Sequence, residues 1–179
     1  NSNKRVRQLL LYGIGSEFKI TEKINLYGNY SLAYRPVTFS ELTPSATTEI
    51  IDANLKDATG FNADFGFKGT VKNYLNFDVG LFYLFYDNRI GTLSQNGGTL
   101  KTNIGTSVSK GLESYVEIDV VKILTEKSKI GSISIFASNS FIDANYVKWN
   151  NLSLNLDPTK SIEDKRVENA PQFNLSLIH

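Results

Sequence analysis

Apolar and polar positions alternate along most of this chain, the period-two signature of strands that hold one face in an apolar environment. Seven segments carry it: residues 8–20, 25–35, 61–71, 74–87, 105–121, 130–146 and 172–178. In the first, Leu10, Tyr12, Ile14, Ser16, Phe18 and Ile20 share a face, with Gly13, Gly15, Glu17 and Lys19 opposite. The second sets Leu26, Gly28, Tyr30, Leu32 and Tyr34 against Asn25, Tyr27, Asn29, Ser31 and Arg35. Phe61, Ala63, Phe65 and Phe67 oppose Asn62, Asp64, Gly66 and Lys68, and Val108, Leu112, Val116, Ile118 and Val120 oppose Ser107, Ser109, Glu113, Glu117 and Asp119. Charge collects on the second face. Lys110 is the one exception, and its place near a strand end lets the ammonium reach a polar interface along its own stem.

The stretch "YLNFDVGLFYLFYDNRIGTL" breaks the alternation. Leu75, Phe77, Val79, Leu81, Tyr83 and Phe85 form one apolar face opposite Asn76, Asp78 and Gly80, but Phe82, Leu84 and Tyr86 then make the second face apolar as well. At roughly 3.3 Å per residue, 74–87 is about 45 Å long, more than twice an ordinary globular strand. The pattern predicts a strand that stops at Asp87, with Phe82, Leu84 and Tyr86 packed against further protein.

The connections alternate between short, polar turns (21–23, 72–73, 122–129) and long stretches (36–60, 88–104, 147–171) rich in Asn, Thr, Asp and Gly. Successive connections of an antiparallel meander fall at opposite ends, so all short turns gather at one end and all long loops at the other. Outer-membrane barrels sort their connections this way. The expectation is an all-β chain: an antiparallel up-and-down meander of about seven long strands, part of a large transmembrane β-barrel. Leu75, Phe77, Val79, Leu81, Tyr83 and Phe85 then face lipid, and Phe18, Tyr34, Phe61 and Phe85 sit at interfacial girdles. Alternation by itself also fits a half-buried water-soluble sheet, so a soluble β-sandwich binding or adhesion module is the alternative.

Composition agrees with strands: 9 Tyr, 11 Phe and 13 Gly accompany only 4 Pro. The 19 Lys and Arg against 18 Asp and Glu leave a net charge of +1, which argues against nucleic acid as a partner. No run of 18 apolar residues is present to form a spanning helix, and there is no cysteine for a disulfide or thiolate site. His179 is the only histidine, so a histidine-based hydrolase or metal cluster is not expected. The loop "DANLKDATG" lacks the spacing of a calcium-binding loop and reads as Asx turns. Glu113, Glu117 and Asp119 read as polar wall residues rather than paired catalytic carboxylates. No catalytic residue, resident metal or cofactor is assigned.

The phrases "YSLAYRPVTFSEL", "DANLKDATGFNADFGFKG", "YLNFDVGLFYLFYDNRIG", "SKGLESYVEIDV" and "SISIFASNSFIDANY" occur in this order between about residues 10 and 177. Together they resemble the C-terminal half of TonB-dependent outer-membrane receptors, most closely the ferric dicitrate branch. The resemblance implies residues 1–179 as part of a barrel of roughly 22 strands, with the plug domain and remaining strands outside this chain. It also implies outer-membrane lipid, the receptor's own plug, TonB and a ferric chelate as partners, active transport without covalent chemistry, and a bacterial outer-membrane location. A related receptor for another chelate, cobalamin or a glycan shares these features. For an anionic chelate the useful donors are guanidinium and ammonium groups at the outer mouth. That singles out Arg35 and Arg89, with Asn88, Lys101 and Asn103 in support.

Overall fold

The computed structural model describes residues 8–95, 97–125, 131–150 and 161–178. Eight strands form one sheet: β1 (Gly13–Lys19), β2 (Ile24–Arg35), β3 (Glu49–Ile51), β4 (Ala58–Val71), β5 (Leu75–Gln95), β6 (Gly98–Asp119), β7 (Ser134–Trp149) and β8 (Phe173–Ile178). All but β3 run antiparallel in chain order, β1-β2-β4-β5-β6-β7-β8, which is the expected meander. A short α1 (Val120–Leu124) follows β6, and a single 3₁₀ turn (Phe39–Leu42) follows β2. No helix among the described residues is long and apolar enough to cross a membrane.

The register shows that alternation within each strand adds up to two continuous faces. One row runs Phe18, Leu26, Phe67, Val79, Ser114, Asn139, Leu175, and another Gly28, Phe65, Leu81, Leu112, Phe141, Phe173. The opposite face carries Asn25, Lys68, Asp78, Tyr115, Ser138 and Ser176 in one such row. The six side chains expected to face lipid from β5 therefore lie on the same side as their apolar neighbours. Ring contacts run across this face, Tyr30 tilted against Phe61 at 5.4 Å and Phe61 stacked on Phe85 at 5.4 Å. Among the described residues nothing covers it: Phe65 and Leu81 are both 55% exposed and Leu175 63%. Leaving such side chains in water forgoes about 1.5–3 kcal/mol each, so the face requires an apolar medium.

Several expectations change. The strand predicted to stop at Asp87 continues to Gln95, and β6 begins at Gly98, so residues 88–104 are not an open loop but a hairpin extending above the sheet. The Asn96–Gly97 pair in the sequence, a strong hairpin signal, was the cue for it. Loop 36–60 is shorter than expected because β4 starts at Ala58, and its Glu49–Ile51 segment adds a parallel strand against Thr99–Lys101. Residues 8–12 precede β1, β7 runs from Ser134 to Trp149 rather than from 130 to 146, and 120–124 turn into α1 where β6 was expected to continue. Lys110 is not the lone charge on the apolar face: Asp143 sits directly across from it, 3.6 Å away.

The inner face loses its alternation for a packing reason. Tyr27 lies across Gly66 and Gly80 with its hydroxyl donating to Asp78 at 2.8 Å, and the Phe82 ring lies over Gly111. Glycines on neighbouring strands thus leave room for inward rings, so Phe82 finds a partner on the sheet itself. The buried apolar side chains among the described residues gather instead at the long-loop end, where Ile104, Ala144, Tyr146 and Val167 form a cluster flanked by Leu93, Ile142 and Ile162.

A Cβ at position 66 would stand 2.5 Å from the Tyr27 hydroxyl and 2.6 Å from the Val79 carbonyl oxygen, whereas one at position 15 meets nothing nearer than 3.6 Å. Gly66→Ala should therefore destabilise the full-length barrel by about 1–3 kcal/mol through overpacking, with Gly15→Ala neutral. Denaturant midpoints in detergent micelles measure both. Equal midpoints for the two variants would contradict the packing described here.

Candidate functional site

The long-loop end is built by folding loop 36–57 back onto the β5–β6 hairpin. At its start the Val37 N–H and the Tyr34 hydroxyl both donate to the Asp57 carboxylate, each at 2.7 Å, pinning the two ends of the loop together. The Glu41 carboxylate accepts from the Thr38 N–H at 2.8 Å and its hydroxyl at 3.0 Å, and takes an ion pair from Arg35. Asp52 accepts from the Asn54 N–H at 2.8 Å, the Asx turn expected of this loop, and from the Thr102 hydroxyl at 2.6 Å. These carboxylates staple the loop, and among the described residues no cluster of acids and histidines is arranged to hold a metal ion.

β3 is clasped to the hairpin by more than its ladder. Lys101 Nζ lies 3.2 Å from Glu49, with both side chains largely covered, and the Glu49 carboxylate also accepts from the Ser45 N–H. Asn103 is buried and uses both ends of its amide: Oδ1 accepts from Lys56 N–H at 2.7 Å, while Nδ2 donates to the carbonyls of Lys56 at 2.9 Å and Asn88 at 2.7 Å. Loop 36–57 and the hairpin thereby form one unit, and Leu55 is enclosed, at 1% exposure.

The position of Arg89 depends on a pair of bulges. Tyr86 pairs with Ser107 and Arg89 with Gly105, so β5 carries one extra residue there; the next pair, Ile90 with Asn103, restores the count with an extra residue on β6. Asn88 takes the extra position with φ +55°, a left-handed conformation that Asn tolerates better than most residues. The insertion flips the side-chain parity. Arg89 is odd-numbered like the outward Phe85, yet its Nη1 donates to the Ser107 hydroxyl at 3.1 Å and its guanidinium lies 5.8 Å from the Tyr146 ring centre. Ser107 and Tyr146 are cross-strand partners on the inner face. Re-aiming a side chain in this way is a known use of bulges.

The five predicted ligand residues therefore do not form one cluster of equivalent donors. Arg35 is half-exposed and bound to Glu41, Lys101 is neutralised by Glu49, and Asn103 is saturated by backbone. The Asn88 carbonyl is held by Asn103, and its side-chain amide is 3.4 Å from Asp87. Arg89 differs, because the partners described for it, a hydroxyl and a ring, are both neutral. Below it, a cavity of about 750 Å³ follows the inner wall, lined by Tyr27, Asp64, Asp78, Glu113 and Tyr115 among others. Its carboxylates give the middle of the wall a negative character, opposite in sign to the Arg89 guanidinium.

The family profile described as "TonB dependent receptor-like, beta-barrel" matches residues 1–178. The chain belongs to that family. It is a barrel segment of a bacterial outer-membrane receptor, from a family of transporters and receptors rather than enzymes. Among solved structures, the ferric citrate transporter FecA in its unliganded form shares the fold at a TM-score of 0.65 and 18% identity, over 93% of this chain and 22% of that one. The ferric-catecholate import receptor Fiu from K12 E. coli, in its closed form, gives 0.63 and 16% identity over 94% and 22%. The copper transporter OprC gives 0.55 and 15% over 75% and 20%. This receptor segment thus spans about a fifth of the length of the structures it resembles. A search of curated proteins gives no match.

The clasp around β3 should respond to acid. Glu49 is held below its ordinary value of 4.5, first by the Ser45 N–H and, against some opposing burial, by Lys101. A carboxylate with a depressed folded-state value stabilises the clasp above the unfolded value and loses that contribution as pH falls through the folded one. Protection of the Asp52 and Thr99 amides from exchange, taken relative to the intrinsic rate at each pH and tied to their bonds to the Lys101 and Thr48 carbonyls, should therefore fall below about pH 4 and do so less in Glu49→Gln, which has no charge left to lose. Asn103→Ala should raise exchange at Lys56 at neutral pH, since it strands a covered N–H at a cost of about 1–3 kcal/mol.

Proposed function

We propose that this chain supplies barrel wall and outer loops to a receptor that imports a ferric chelate of the citrate type, driven through TonB and without covalent chemistry. The observation that carries the reading is the inward turn of Arg89 at the long-loop rim, where a cation with neutral partners stands above an acidic wall. An anionic chelate is attracted to that rim and repelled by Asp64, Asp78 and Glu113 lower down, so a resting site at the rim is favoured over one in mid-lumen. The names borne by FecA and Fiu, a ferric citrate transporter and a ferric-catecholate import receptor, point the same way.

On this reading the exposed apolar face, including Leu75, Phe77, Val79, Leu81, Tyr83 and Phe85, is covered by outer-membrane lipid. The free edges of β1 and β8 pair with neighbouring strands of the full barrel, because an unpaired ladder edge in hydrocarbon costs several kcal/mol for each polar group. The inner wall faces the receptor's own plug domain. The single continuous sheet, with no second sheet packed on its apolar face among the described residues, removes support from the β-sandwich alternative. Arg35, Lys101, Asn88 and Asn103 are assigned to shaping the rim, and Arg89 to direct contact. A second reading, import of a copper complex, draws on the likeness to OprC.

Cells making the full-length receptor should take up labelled ferric citrate, and Arg89→Gln should weaken binding roughly ten- to hundredfold, the loss of a charge-assisted contact of about 1.5–3 kcal/mol. Arg35→Ala should have a smaller effect. Unchanged uptake in the Arg35→Ala, Arg89→Ala double variant removes both from the site, and uptake of copper complexes without ferric citrate favours the second reading.

A further inference from the structure

The three short turns lie at the end that outer-membrane barrels direct to the periplasm, but they are not alike. All three read as polar in the sequence, and those at 21–23 and 72–73, Thr-Glu-Lys and Lys-Asn, carry one exposed aliphatic neighbour, Ile20 at 54%. The third begins with α1, where Ile123 is 51% and Leu124 80% exposed, beside Ile133 at 63%. Three large aliphatic side chains in water at a turn need an explanation.

Their direction is fixed by Asp119. It belongs to the inner face with Glu113 and Glu117, and it accepts from the Lys122 N–H at 3.0 Å and the Ser132 hydroxyl at 2.5 Å, with Lys122 Nζ 2.9 Å away. Lys122 is thereby turned inward. At 100° per helical residue, Leu124 lies about 200° round from Lys122, on the outer side, with Ile123 on the flank. On the other arm, Ile133 has the parity of the outward Ile135, and its carbonyl accepts from Val120 N–H at 2.9 Å. Ile118 and Ile135 pair directly on the outer face. Ile123, Leu124 and Ile133 thus continue the apolar face of the sheet past its last strand pair, while Asp119, Lys122 and Ser132 continue the inner one.

We propose that α1 and Ile133, the described flanks of this connection, are seated in the headgroup and acyl boundary of the periplasmic phospholipid leaflet, with Ile123, Leu124 and Ile133 as the contact surface. Short amphipathic elements bind such boundaries by burying one apolar side about 5–10 Å deep, and this one is contiguous with the barrel's lipid face. The inference rests on the reading of that face as lipid-covered.

This chain has no cysteine, so single thiols can be placed in it for nitroxide labelling in the full-length receptor reconstituted into phospholipid bilayers. Three sites suffice: Leu124→Cys, Leu81→Cys as the proposed lipid contact, and Asn73→Cys in a polar turn at the same end. Collision with oxygen relative to a water-soluble nickel complex should be severalfold higher at 124 than at 73, approaching the ratio at 81. A label at 124 that behaves like that at 73, while 81 remains lipid-like, overturns the inference alone. Protection of 124 from both reagents overturns it in favour of a protein partner. A water-like label at 81 overturns the lipid reading of the face and this inference with it.

Discussion

The constraint behind this structure is that a backbone crossing hydrocarbon must satisfy every N–H and C=O within the protein. A sheet meets it through continuous ladders: β5 and β6 pair without a shift from Leu75–Ile118 to Tyr86–Ser107, and the rest of their 21 and 22 residues, beyond the bulges, forms the hairpin above the sheet. Side chains follow from the ladders. Once the register is set, each residue is committed to the apolar or the polar face, and a slip of one position would invert every strand that follows it.

Two devices relax that commitment locally. Glycines remove side chains where a ring from the next strand must lie flat, as with Tyr27 over Gly66 and Gly80 and Phe82 over Gly111. The paired bulges around Arg89 invert parity for a few residues and then restore it, so one cation turns inward without disturbing the hairpin above. Both act where the wall meets the lumen, and neither touches the apolar face.

The rim is held by side-chain chemistry rather than by strand pairing alone. Carboxylates at Glu41, Glu49, Asp52 and Asp57 are consumed in fastening loop 36–57, and they engage Arg35 and Lys101 in doing so. Arg89 is left as a cation whose described partners, the Ser107 hydroxyl and the Tyr146 ring, are neutral. The distinction between cations that hold a loop and a cation that faces the lumen is the basis for ranking the ligand candidates.

The periodicity of the sequence by itself determined the all-β class, the order of the antiparallel meander, the places of the short turns, and which β5 residues share the apolar face. Those properties are local, because alternation and turn chemistry are carried by neighbouring residues. The tertiary structure decided what depends on distant partners. That β3 joins β6 required the backbone of Thr99–Lys101 to present a free edge, and that Asn103 clamps Lys56 required two segments 47 positions apart to meet. The bulge at Asn88 was written in no period, since one inserted residue becomes visible only against the strand it pairs with. For that reason the sequence placed Arg89 beyond a strand end, and only the paired backbone turned it into the lumen.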